Sequence, residues 1–231
     1  MNVISGTVNF NKRQQIIQKI SIELFNSIAS ENLSSIVRAF AEVALDNTIV
    51  KEGVGRQIPV FNILHSLYQA GVAIKEQLFI QKIMNFLEEP SNVPYEERLN
   101  FVEERDQNPE KKRVWGESLL LLIDRADSLE KPSILGRILK HHILGNISYE
   151  DAMRLSYIVD RVYMSDLDYL TRFSSGIQSN PDIAASLQSA GLLKGAGQDF
   201  GYVGKPSSGG VLYELNDYGD MLLRYGLDSA V

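Results

Sequence analysis

The sequence predicts a mainly α protein, a multi-helix bundle followed by a C-terminal winged-helix-like module that contains a short β-hairpin. Three observations lead there. Apolar residues recur every three or four positions through most of the first 175 residues, caps and breakers cut that pattern into helix-length pieces, and short glycine-rich elements follow Ser174-Ser175-Gly176. The expected domains are therefore a helical bundle at 1–175 and the winged-helix-like module at 176–231.

From Lys12 to Ala29, residues Ile16, Ile17, Ile20, Leu24 and Ile28 share one helix face. A second helix is expected after Ser30-Glu31-Asn32, with Ile36, Val37, Phe40, Val43, Ala44 and Ile49 as its stripe, and the short connection suggests a helical hairpin. Gly53 and Gly55 punctuate the chain, and Pro59 suits a first helical turn, where its missing N–H is not needed. The stretch from Ile58 to Leu87 is the most apolar, with no Asp, Glu, Lys or Arg between Arg56 and Lys75. It predicts a long helix or a bent pair, Gly71 marking a kink or a close contact, and Leu78, Phe79, Ile83, Phe86 and Leu87 continuing the buried face.

Pro90-Ser91-Asn92-Val93-Pro94 predicts a break, and Pro94 starts a charged helix through Asp106 with Leu99 and Val102 pointing inward. Asn108-Pro109 opens the next helix, whose run Leu119-Leu120-Leu121-Leu122-Ile123 predicts burial on more than one side. Gly145 closes a helix from Glu130. Ser148 with Asp151, and Ser165 with Asp168, have the spacing of capping boxes. In the last module, Pro181 to Ala190 predicts a short helix ending at Gly191, Phe200–Val203 and Val211–Leu215 predict two strands around the turn from Gly204 to Gly210, and Asn216 caps a final helix through Tyr225. Helix, wing and closing helix are the parts of a winged helix.

Composition narrows the function classes. The 231 residues, 44% hydrophobic and 23% charged, suit a folded globular chain. A net charge of −6 repels phosphate backbones. Cysteine is absent, which removes disulfides, thiolate metal sites and Cys nucleophiles and fits a reducing cytoplasm. The start Met1-Asn2-Val3-Ile4-Ser5-Gly6 has no basic, apolar signal pattern, and no run nears about 20 apolar residues, so neither secretion nor membrane spanning is expected.

The candidate constellations reduce to packing and solvation. From Gly176 onward, Lys194, Lys205 and Arg224 face Asp182, Asp199, Glu214, Asp217, Asp220 and Asp228, a net of −3, and Pro181 to Ala190 has no Lys or Arg. Affinity for DNA comes chiefly from neutralised phosphates, so a structural or protein-docking role is favoured for the tail over DNA binding. Asp124, Asp127, Glu130, Asp160, Asp166 and Asp168 lack EF-hand spacing, and solvated faces, caps and local pairs such as Asp124 with Arg125 and Asp160 with Arg161 account for them better than a metal. Adjacent His141 and His142 diverge by about 100° on a helix, and His65 sits in the most apolar segment as a packed histidine. There is no phosphate-binding loop, and Gly116-Glu117-Ser118 lacks a nucleophile elbow's second glycine. No catalytic, cofactor-binding or metal-binding residue is assigned. The uncharged segment 57–74 is the one membrane candidate, but Asn62, His65, Ser66 and Gln69 give it the single wetter side of a core or oligomer-contact helix, and it lacks a basic border.

The central region resembles the bacterial abortive infection alpha family, helical proteins associated with phage defence. The resemblance lies in Ile58-Pro59-Val60, Ala73-Ile74-Lys75-Glu76-Gln77-Leu78-Phe79, Lys82-Ile83-Met84-Asn85-Phe86-Leu87, Leu121-Leu122-Ile123-Asp124-Arg125 and Ile147-Ser148-Tyr149-Glu150, across residues 50–170. It implies a bacterial, defence-linked protein and carries over no catalytic residue. The expected function is a non-enzymatic interaction protein whose partner is another protein or a second copy of itself. A winged-helix DNA regulator and a membrane-active effector using 57–74 are the alternatives.

Overall fold

The computed structural model describes residues 18–44, 59–60, 75–175, 181–199 and 210–227. It is mainly helical, with one antiparallel two-stranded hairpin near the C-terminus. By internal contacts the chain divides into two units, Met1–Leu144 and Gly145–Val231. The expected boundary at 175/176 falls inside the second of these units. The reason is that the segments on either side of Gly176 contact each other extensively.

In the first unit, α1 (described over 18–28) buries Ile20, Leu24, Phe25 and Ile28, as its spacing predicts. α2 (Leu33–Ala44) buries Leu33, Ile36 and Val37 and packs on α3 (Lys75–Ser91). Ile16, Ile17, Ile49, Gly71 and the side chains of Phe40, Val43 and Ala44 lie outside the described residues. Val60 is fully buried, and its N–H donates to Ser27 Oγ at 3.1 Å, which ties that pair of residues to α1.

The break expected over Pro90-Ser91-Asn92-Val93-Pro94 forms at its last three residues: α3 continues through Pro90 to Ser91, and Asn92-Val93-Pro94 separate it from the next helix. A proline in the last turn deletes only one hydrogen bond, the one its N–H would have given to the carbonyl of Phe86. That carbonyl is covered by α6 (Glu130–Ile143). A Cβ added to Gly136 would meet Phe86 O at 2.3 Å, so glycine is what lets the two helices touch there. Ile83, Phe86 and Leu87 are buried in the α3 face, whereas Leu78, expected inside, is 57% exposed. Glu89 clamps the same seam by accepting from Arg137 Nε at 2.9 Å and Lys140 Nζ at 3.4 Å.

α4 (Tyr95–Asp106) follows Pro94 as expected, but it buries Arg98, Phe101 and Val102, with Leu99 only half-buried. Asn108 caps α5 (Pro109–Arg125), its Oδ1 accepting from Lys111 N at 3.1 Å, with Pro109 in the first turn. Leu119, Leu120, Leu122 and Ile123 are buried, while Leu121 is 49% exposed. The α1–α5 contact is close: a Cβ on Gly116 would lie 3.1 Å from the Phe25 ring. Around it, Phe25, Phe101, Trp115 and His142 cluster at 5.3–6.5 Å between ring centroids, Phe25 and Phe101 stacked and the other pairs edge to face. Arg105 lies 3.5 Å above the Phe101 ring, a short cation–π contact.

In the second unit, α7 (Tyr149–Arg161), the single-turn α8 (Met164–Leu167) and the 3-10 stretch Leu170–Ser175 precede α9 (Pro181–Ala190). The hairpin of β1 (Leu193–Asp199) and β2 (Gly210–Leu215) follows, then α10 (Asp217–Tyr225). This is a winged-helix-like order. The strand expected at Val211–Leu215 is β2, but its partner is Leu193–Asp199; Phe200–Val203 lies outside the described residues. Leu193 pairs with Leu215 and Asp199 with Gly210, with an irregularity between Gly195 and Gly197. Gly197, at φ 146°, adopts a backbone open to glycine.

Candidate functional site

The candidate site is the second unit's surface, and caps and side-chain hydrogen bonds tie that unit's elements together. Ser148 Oγ accepts from Asp151 N at 3.0 Å and donates to Asp151 Oδ2 at 2.7 Å, starting α7 where the capping spacing predicts. Ser165 does not repeat the device. α8 begins one residue earlier, behind Tyr163 and without a side-chain cap, which places Ser165 inside the helix and Asp168 at its C-cap. The neighbouring carboxylate acts instead: buried Asp166 accepts from Ser186 Oγ of α9 at 2.5 Å.

Asn216 joins three elements. Its Oδ1 accepts from Gly219 N at 2.9 Å to cap α10, its Nδ2 donates to Gly191 O at 2.8 Å, and its backbone N–H donates to Leu192 O at 3.1 Å. Gly191, at φ 94°, turns the chain out of α9 as expected. A Cβ on Gly219 would meet Leu192 O at 2.3 Å, so α10 sits hard against the start of the hairpin.

On this frame the surface is acidic. The unit holds Arg154, Arg161, Arg172, Lys194, Lys205 and Arg224 against Glu150, Asp151, Asp160, Asp166, Asp168, Asp182, Asp199, Glu214, Asp217, Asp220 and Asp228, a net of −5. α9, the helix a winged-helix protein would lay in a DNA groove, exposes Asp182, Gln188 and Ser189 and no cation. A cavity of about 470 Å³ opens between Phe173, Leu215, Asn216 and Met221, with Glu214, Asp217 and Asp220 around it. Two of these carboxylates already pair, Glu214 with Lys194 at 3.4 Å and Asp220 with Arg224 at 3.0 Å. Among the described residues three tyrosines of this unit stand open: Tyr149 at 38%, Tyr157 at 46% and Tyr163 at 65% exposure.

Asp124, Asp127 and Glu130 belong to the first unit and Asp160, Asp166 and Asp168 to the second. Asp127 pairs with buried Lys131 at 3.0 Å, and the Asp124 carbonyl accepts from Lys82 Nζ at 2.7 Å. Among the described residues no group of three His, Asp or Glu side chains could hold a metal ion. His65 lies outside the described residues, as does 57–74 apart from 59–60. His142 is half-buried, its Nε2 2.8 Å from Arg105 Nη2; the arginine is the donor, so this nitrogen accepts. Among the described residues no helix is long and apolar enough to cross a membrane.

Sequence reading missed the buried cations. Arg98 is 2% exposed, and its guanidinium donates to three carbonyls: Val93 O at 3.0 Å, Ile28 O at 2.5 Å and Ser30 O at 2.8 Å. Burial lowers its pKa from the ordinary arginine value. Lys112 pairs with Asp106 at 2.5 Å. The signal was Arg98's position three and four residues before Phe101 and Val102, on the face they bury. Compared with family models, curated proteins and solved structures, the chain matches none.

Proposed function

We propose that the chain is a non-enzymatic interaction protein of a bacterial cytoplasm that works through protein–protein contacts, its winged-helix-like unit being the docking module. The carrying observation is the charge of that unit: a net of −5, with no Lys or Arg on α9. Phosphate neutralisation supplies essentially all non-specific DNA affinity, and this surface has nothing on that helix to supply it. Exposed tyrosines support a protein partner, since interface cores are enriched in Tyr, Met and Arg. The link to antiphage defence or stress rests on the family resemblance of residues 50–170.

The second reading, a DNA regulator, draws on the order of helix, hairpin and closing helix. Light scattering of the whole chain over a range of concentrations, with and without duplex DNA at low salt, separates the two. Mass that rises with protein concentration and ignores DNA is the expected result. A monomer that gains mass only with DNA would overturn the proposal.

A further inference from the structure

We propose that the solvent face of α7 is the surface through which two copies of this chain pair, antiparallel and about a two-fold axis. This inference rests on the interaction reading above and names the surface that reading leaves open. Glu150, Tyr157 and Arg161 fall seven and four residues apart, so at 3.6 residues per turn they form one stripe within about 40°. All three are exposed. The opposite face carries Ala152, Leu155, Ser156, Ile158 and Val159 into the unit's interior.

The stripe is polar in a specific sense: a carboxylate at one end, a guanidinium at the other, about 16 Å apart along the axis. The side chains of Glu150 and Arg161 make no hydrogen bond or ion pair with a described residue. By contrast, Lys194 and Arg224 of the same unit both have carboxylate partners. Placed antiparallel on a second copy, Glu150 meets Arg161 and Arg161 meets Glu150, two ion pairs from one symmetric contact. Midway between them, Tyr157 of each copy faces Met153 and Arg154 of the other. A parallel arrangement would put like charges together at both ends and is disfavoured. One 13-residue helix face buries on the order of 1,000 Å² in such a pair, at the weak end of specific interfaces.

Antiparallel two-fold pairing makes a prediction that other contacts do not. Glu150→Arg leaves only cations at the two ends, and Arg161→Glu leaves only anions. Each variant alone should dimerise at least ~10-fold more weakly than the parent, whereas an equimolar mixture should restore association, since each copy now complements the other. Both positions are exposed, and far-UV circular dichroism confirms that each variant is folded. Sedimentation equilibrium on the parent, the two variants and their mixture reads the outcome. Variants that dimerise like the parent overturn the assignment of this face while leaving a self-associating protein. A mixture as weak as its components, or a parent that is monomeric at every concentration, overturns the antiparallel pairing. A parent that gains mass only with duplex DNA overturns the reading beneath it.

Discussion

Replacing Gly136 with alanine sets two physical effects against each other. Helix propensity alone favours alanine by about 1 kcal/mol at an interior position. Against this, the new methyl would sit 2.3 Å from Phe86 O, about 1 Å inside tolerable contact, and the obstacle is backbone that no rotamer change can move. α3 and α6 would have to separate along the seam that Glu89 clamps to Arg137 and Lys140. A radial gap of that size forfeits about a quarter to a half of the dispersion energy of the lining atoms. Overpacking of this kind costs about 1–3 kcal/mol or more, and we expect the variant to be less stable by about 2 kcal/mol net. The chain's single tryptophan, Trp115, is buried in the same unit, so its fluorescence in a urea titration reports the relevant transition. In thermal melts the same loss is a fall of about 4–8 °C. A midpoint that rises, as propensity alone would give, refutes the close-approach argument.

Asn216→Ala should destabilise the second unit by about 1–2 kcal/mol through its lost α10 cap, with a further loss from the freed Gly191 carbonyl, read by far-UV circular dichroism during denaturation. Arg98→Met keeps an unbranched apolar stem but removes the guanidinium and strands the carbonyls of Ile28, Ser30 and Val93; a loss of about 3–5 kcal/mol in the Trp115-monitored transition is expected, and an unchanged midpoint would show those bonds to be dispensable. Glu110 and Glu130 should both titrate below the ordinary glutamate range, Glu110 because it accepts from Arg113 and Glu130 because it accepts from Ser128 and a backbone N–H. Their pKa values are depressed on folding, so whatever stability they contribute is present above the unfolded value and is lost as pH falls through the lower folded one. Side-chain carboxyl NMR shifts against pH test this, with ordinary midpoints the contrary result.

Features written locally were legible in the sequence. Asn108, Ser148 and Asn216 cap the helices they precede, and Gly145 and Gly191 have the positive φ their positions suggested, because a cap needs only a few neighbouring residues. Features set by partners distant in the chain were not. Pro90 stays helical because it falls in the last turn of α3, where its missing N–H costs one bond, and a glycine distant in the chain, Gly136, leaves room for the Phe86 carbonyl it strands. β1, Leu-Lys-Gly-Ala-Gly-Gln-Asp, has almost no alternation of its own and is a strand because β2 pairs with it. On α7 the period of three and four buries Ala152, Leu155, Ser156, Ile158 and Val159. The same period also aligns Glu150, Tyr157 and Arg161 outside, where spacing alone does not announce a use.

Arg98, Lys112 and Lys131 are shut inside the first unit, and among the described charged residues only Asp166 is similarly hidden from the acids. Two of them nevertheless reach carboxylates at the surface, Lys112 to Asp106 and Lys131 to Asp127, so those two acids are neutralised from beneath rather than from outside. A cationic partner gains little at either position, and salt screens such half-covered pairs less than fully exposed ones.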